Sequence, residues 1–182
     1  MPDYRRLYEN GGTYFFTVVT YNRRLVFQED DAVALLRDCL ERTMRAHPFV
    51  VEAQVVLPDH LHTIWTLPDG DCDFSMRWNL VKGNFSRRYE QYGMEHKVLP
   101  TSHQKKREQV VWQRRFWEHL ARDQNDFNRL CDYAHYNPVK HSLVRSPADW
   151  NHSTFREFLS KGLYLQGWGA AASKELRDMS LE

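Results

Sequence analysis

The stretch VVLPDHLHTIW, residues 55–65, constrains the fold more tightly than any other part of the chain. Two runs rich in apolar and β-branched residues, 49–57 and 60–67, meet at Pro58-Asp59, a short turn, so two strands follow each other directly. A strand repeats its side-chain direction every two residues. His60 and His62 therefore project from one face of the sheet, and Leu61 from the other. Two imidazoles side by side on a strand are half of a metal site, since histidine is the commonest protein metal ligand. The competing reading is a pair of hydrogen-bonded histidines at a strand end.

The flanking sequence extends this pair of strands into a fold. Residues 13–22, TYFFTVVTYN, are β-branched and aromatic and follow Gly11-Gly12, which predicts a strand. Residues 30–46 carry Val33, Leu36, Leu40 and Met44 near helical spacing, and Pro48 marks the stop. A second helix is predicted over 73–92, with Phe74, Trp78, Val81 and Phe85 on one side, then a polar, basic loop over 96–109. A strand is expected within 110–120 and a third helix over 125–136, with Asn125 as its N-cap. Strand, helix, strand, strand, helix, strand, helix is the order of a ferredoxin-like, split βαβ antiparallel sheet of the α+β class, with helices packed on it. Such a fold hosts enzymes, nucleic-acid binders and metal carriers alike, so the chemistry has to come from the site.

The third helix supplies candidates. Tyr133 and Asn137 are four residues apart and share a helix face, at the border of the stripe formed by Phe127, Leu130, Cys131 and Ala134. Pro138 disfavours helical geometry at Asn137, so the helix is expected to end there and leave the carboxamide free to turn inward. An amide oxygen suits magnesium or manganese, and with two imidazoles it makes a three-ligand site with open positions. Taken singly, Tyr133 reads as a tyrosine at a core margin and Asn137 as a helix C-terminal cap. Taken together with the histidines, they read as a metal site with a nucleophile one helical turn away, suited to attack on a phosphodiester. Tyr136, the rival nucleophile, sits about 100° from Asn137 on the helix, on the far side from the apolar stripe.

Charge is unevenly spread along the chain. The net charge of the 182 residues is +1, but 77–122 holds eleven Lys or Arg against four Glu. Aromatic residues interleave with these basic ones, as in Trp112-Gln113-Arg114-Arg115-Phe116-Trp117. Basic groups for phosphates beside flat rings for unstacked bases are expected at a single-stranded nucleic-acid surface. A solvated charged face over core aromatics is the alternative. Arg77, Lys82, Arg87, Arg88, Arg114, Arg115, Trp117 and Lys140 are the candidate DNA contacts. Cys39, Cys72 and Cys131 lack the close spacing of a structural zinc site and read as reduced. No apolar run is long enough to span a membrane and the start has no apolar signal core, so a cytoplasmic protein of one domain over 1–182, with a C-terminal tail from about 150, is expected.

His60-Leu61-His62 resembles the histidine, hydrophobic, histidine motif of the HUH endonucleases, and Tyr133 with Asn137 resembles their single-tyrosine helix. The segments YRRLYENGGTYFFTVVTYNRR, VVLPDHLHTIWTLPDGDCDFSMRW, RRFWEHLARDQNDF and DYAHYNPVKHSLVRSPADW resemble the REP-associated tyrosine transposases. The resemblance runs from Tyr4 to about Phe155. It departs at NHST, 151–154, where relatives often have proline after the tryptophan, and in a longer loop before Val110.

The resemblance implies a bacterial, nucleoid-associated strand transferase that binds hairpins of repetitive extragenic palindromes. It implies cleavage of one strand through a 5′-phosphotyrosine, with Tyr133 as nucleophile and His60, His62 and Asn137 holding Mg or Mn. The implied partner is single-stranded or hairpin DNA, with no membrane and no nucleotide cofactor, and the protein acts as a monomer or homodimer. The alternatives are a non-catalytic ferredoxin-like nucleic-acid-binding protein and a metal-dependent hydrolase of small phosphoesters.

Overall fold

The computed structural model describes residues 7–91 and 111–170. Strands β1 (Thr13–Val19), β2 (Val50–Leu57), β3 (His60–Thr66) and β4 (Trp117–Leu120) form one antiparallel sheet in the order β2-β3-β1-β4. Helices α1 (Asp30–Ala46) and α2 (Phe74–Gln91) connect strands, while α3 (Gln124–Lys140) and the short α4 (Phe155–Ser160) follow β4. The element order is the split βαβ one expected, and the fold is α+β.

Period-two alternation gives the sheet two different faces. Tyr14, Phe16, Val18, Leu61 and Trp65 pack against α1 and α2, where Val33, Leu36, Phe74, Trp78, Val81 and Phe85 complete the larger core. Trp65 and Trp78 stack at its centre, their rings 4.2 Å apart. Phe15, Val55, Leu57 and Ile64 face the other way, onto Leu130, Cys131, Tyr133 and Ala134 of α3. All three cysteines are free thiols. Cys39 and Cys131 are buried, one in each core.

The outer edge of β2 is covered by the chain after Trp150. Val56 N–H donates to His152 O at 2.8 Å and Thr154 N–H to Gln54 O at 2.9 Å, so the edge is paired from Gln54 to Val56. The Trp150 indole N–H also donates to Val56 O at 2.9 Å. No helix among the described residues is long and apolar enough to cross a membrane.

Element ends differ from expectation for local reasons. β1 stops at Val19, short of Asn22, because Asn22 and Arg23 adopt left-handed backbone with φ of 53° and 49°. Within 111–120 only the last four residues form a strand. The start of that segment is joined to β1 by a single bridge between Thr20 and Trp112. The N-cap of α3 is Asp123, whose carboxylate accepts from Asp126 N–H at 2.8 Å, and not Asn125. The predicted loop over 96–109 lies outside the described residues.

The helix also does not end at Asn137. It runs through Pro138 to Lys140 although an internal proline costs about 3 kcal/mol. Residues from Tyr133 through Pro138 are all buried, and His141 N–H donates to Asn137 O at 2.9 Å. Tertiary packing and this closing bond hold the last turn against the proline's local preference.

Candidate active site

The face of the sheet that meets α3 carries both histidines, while Leu61 lies in the opposite core. Strand register sets the neighbours of each. His62 pairs with Thr17 of β1 and Val55 of β2, and His60 pairs with Val19 and Leu57. Their rings stand 4.9 Å apart at 84°, and both are buried.

Each imidazole is held through Nδ1. His60 Nδ1 lies 2.5 Å from Asp59 Oδ1. A carboxylate can only accept, so Nδ1 carries the proton of this bond, and in the neutral ring Nε2 is a lone pair. Burial works to raise the Asp59 carboxyl, but bonds and charge from His60 and Arg23 outweigh it and hold the group below its usual range. Arg23, on its left-handed backbone, reaches Asp59 at 3.0 Å. His62 Nδ1 lies 3.0 Å from the buried Thr17 hydroxyl. With Nδ1 engaged by Thr17, Nε2 is the ring's remaining polar atom, and this buried atom meets no protein hydrogen-bond partner. Burial first, and then the neighbouring His60, push the His62 imidazole well below its ordinary pKa. Asn137 opposes that shift from beside the ring, without reaching Nε2 in hydrogen-bond geometry.

From above, α3 brings Tyr133 and Asn137 to the same place. The Tyr133 ring is 5.3 Å from His62 and 5.8 Å from Phe15, edge-on to both. The Asn137 amide nitrogen donates to Tyr133 O at 2.9 Å, which leaves the carboxamide oxygen for another partner. Lys140 places its ammonium 5.0 Å from the centre of the Tyr133 ring, in cation–π range. Tyr136 turns elsewhere. It is buried, with its ring 6.5 Å from Trp168 in the C-terminal segment.

His60, His62, Tyr133 and Asn137 thus converge. Among the described residues no group of three His, Cys, Asp or Glu is arranged to hold a metal. A cation between the histidines would draw its third protein donor from an amide, and Asn137 supplies one. A buried imidazole nitrogen without a partner, beside a second with its Nδ1 proton fixed, is what a divalent ion of this ligand class needs.

Four polar groups of this site escaped the sequence reading. Thr17 and Asp59 hold the two histidines, Arg23 holds Asp59, and His141 caps α3 with its ring 5.2 Å from His60. Signals existed for two of them. Asp59 adjoins the pair, and His141 follows Asn137 by one helical turn. Thr17 required the strand register, and Arg23 a left-handed turn.

The basic candidates divide. Arg77 is buried. Its guanidinium is spent on Asp71, at 2.7 and 3.1 Å, and on the carbonyls of His47, Pro48 and Asp73. Arg88 pairs with Asp38 of α1, Arg87 bonds Asn84, and Lys82 donates to Gln113 O at 2.6 Å. All four belong to α2, whose apolar side packs on the face of the sheet turned away from the histidines. The 113–117 segment serves both faces, since Lys82 of α2 holds Gln113 O and Phe116 packs in the α2 core, whereas Trp117 turns toward α3. Arg114 and Arg115 are exposed just before β4, Trp117 lies on the α3 side, and Lys140 overlies Tyr133.

No protein-family model matches the chain. It is 40% identical to the REP-associated tyrosine transposase of Escherichia coli strain K12, over 92% of this chain and 91% of that one. A Haemophilus influenzae relative of the same kind is 38% identical over 93% of this chain and 94% of its own. Among solved structures, the REP-associated tyrosine transposase bound to a REP hairpin matches with a TM-score of 0.77 and 39% identity, covering 96% of each chain. With identity of this level over nearly the whole length, the chain belongs to the REP-associated tyrosine transposases.

Proposed function

We propose that this chain binds hairpins of repetitive palindromic DNA and cuts one strand beside them through a covalent 5′-phosphotyrosine. The Tyr133 oxygen forms a bond to phosphorus as the bond from phosphorus to the 3′-oxygen breaks. The phenolic proton passes to solvent, and the departing 3′-oxygen takes one up to become a hydroxyl. Because the new ester keeps a phosphodiester bond, a second 3′-hydroxyl can displace Tyr133 and rejoin the strand with no nucleotide cofactor.

His60, His62 and Asn137 would hold the divalent cation, Mg or Mn. When bound, it polarises a non-bridging phosphate oxygen and shares the charge on the leaving 3′-oxygen. Asp59 and Thr17 keep both Nδ1 atoms occupied, so each ring has its Nε2 left for the ion. Asn137 ties its amide nitrogen to the Tyr133 carbonyl, which couples the nucleophile's backbone to the ligand set. Lys140 adds positive charge where an anionic phosphate would approach Tyr133.

The observation that carries this reading is the orphaned, buried His62 Nε2 with the Tyr133 ring 5.3 Å from that imidazole. The relative solved with a REP hairpin supports the choice of DNA. The test uses hairpin oligonucleotides labelled at the 5′ or the 3′ end, incubated with magnesium and run on a denaturing gel. The native protein and Tyr136→Phe are expected to retain a protein-linked fragment, and Tyr133→Phe to lose it. An adduct that survives Tyr133→Phe but not Tyr136→Phe refutes the assignment. Released product with no adduct from any variant points to hydrolysis by water.

A further inference from the structure

We infer that β4 carries a stacking platform for one unpaired nucleobase, built on Trp117 and placed beside the Tyr133 site. The inference rests on the reading that Tyr133 attacks a DNA phosphodiester, and it adds a base-binding position to that reaction.

Register places the platform. Thr17 is paired with His62 on one side and with Trp117 on the other, and all three belong to the face that meets α3. Adjacent strands lie about 4.8 Å apart, so the Trp117 backbone stands about 10 Å from that of His62. Phe15 fills the corner between them, with its ring 5.4 Å from His62, 5.8 Å from Tyr133 and 5.8 Å from Trp117. A phosphate held at the histidines and Tyr133 therefore has a neighbouring sugar and base over β4. This strand ends the sheet, and Trp117 remains partly exposed on it. Two exposed cations, Arg114 and Arg115, precede it by two and three residues, where they can follow the backbone of the same strand of DNA.

A chain of contacts fixes the ring in advance. His119, two residues on and on the same face, lies nearly parallel to the Trp117 indole at 13°, with ring centres 5.9 Å apart. His119 Nε2 is 2.9 Å from Asp126 Oδ2. Arg122 grips the same carboxylate through Nε at 2.9 Å, Nη2 at 3.1 Å and its backbone N–H at 3.1 Å. The Arg122 guanidinium and then His119 hold the Asp126 carboxyl well below the usual range, against its burial, so the clamp stays anionic. Asp126 is buried at the N-terminus of α3, the helix that carries Tyr133. Trp117 is thereby backed by His119 on β4 and by Phe15 on β1, and little rotamer freedom is lost when a base lands on it. The ligand class is a nucleobase with an open π-face, and stacking of this kind tolerates any base.

The test places the fluorescent base 2-aminopurine at each position of the single strand flanking a hairpin, one position at a time. Native protein and Tyr133→Phe are expected to quench it most strongly at one position, next to the cleaved phosphate. Trp117→Phe should keep most of that quenching and Trp117→Leu should lose it, with affinity for the flanked hairpin falling on the order of tenfold to a hundredfold. An abasic residue at the same position should weaken native binding by a similar factor and Trp117→Leu no further. This arm stands even if the leucine variant folds poorly. Equal quenching by native protein and Trp117→Leu, or an abasic position without effect on native affinity, overturns the inference. Neither result depends on the covalent adduct, so a failure of Tyr133 as nucleophile remains a separate outcome.

Discussion

Acid is expected to loosen the helix that carries the nucleophile, through a histidine on its other side. His135 is buried and titrates far below its usual 6.5, at about 3, because burial disfavours the charged ring. Its two ring nitrogens meet hydroxyls. The Tyr164 hydroxyl donates to Asp132 at 2.9 Å, so at 3.1 Å it can only accept from His135 Nδ1–H. His135 Nε2 lies 2.9 Å from the Thr154 hydroxyl, which also donates to Gln54 O at 3.3 Å. Unfolded, the same imidazole gains its proton near pH 6.5. Between about pH 7 and pH 5.5 the unfolded chain thus binds a proton that the folded one refuses, and stability falls as pH falls. Linkage over that interval gives a loss of about 1.3 kcal/mol from His135 alone. His62, also shifted down, adds a loss of the same sign in metal-free protein. Urea unfolding in a chelating buffer at both ends of the interval separates the two. The advantage of native protein over His135→Gln should shrink by about 1.3 kcal/mol at the acid end, since His62 is common to both. Parallel losses in the two proteins would refute the buried, neutral His135.

Three further outcomes test the site and its surroundings. Thr17→Val and Asp59→Asn each remove the group that holds one imidazole, and either should weaken divalent-metal binding about 10- to 100-fold by calorimetry. Unchanged affinity in both would mean that the imidazoles do not ligate the ion. Arg77→Ala should lower stability by about 1–3 kcal/mol, because the carbonyls of His47, Pro48 and Asp73 lose their donor, and leave hairpin affinity intact. Replacing Arg114 and Arg115 with alanine should do the reverse, weakening binding and reducing the salt-dependence slope by up to about 1.8. Hairpin binding that falls with Arg77→Ala in protein that is still folded would return α2 to the DNA surface.

Regular periodicity was the readable part of this molecule. Phe74, Trp78, Val81 and Phe85 are spaced for one helix face and are all fully buried on one side of α2. The alternation through His60-Leu61-His62 sent Leu61 into one core and the imidazoles toward the other. What escaped were features decided by tertiary contact. Pro138 predicts a stop by its local sterics, but burial of the whole turn around it outweighs that preference. Arg77 has the composition of a phosphate contact, and only the approach of Asp71 and two further backbone segments shows that its five N–H donors are already taken.

The same distinction explains which parts of the site could be read. Tyr133 and Asn137, or His60 and His62, are related by the period of their own element, so spacing alone pairs them. Thr17, Phe15 and Trp117 join them through the register of three strands, which depends on the length of every connection between them. A one-residue slip of β1 against β3 would exchange Thr17 for Phe16 or Val18 beside His62, leaving Nδ1 without its hydroxyl and turning an aromatic or a valine into the site. The large apolar side chains of β1, Tyr14, Phe16 and Val18, fill the opposite core completely and make that slip costly. The packing of the face without the histidines therefore holds the chemistry on the other face in register, and the two cannot be altered independently.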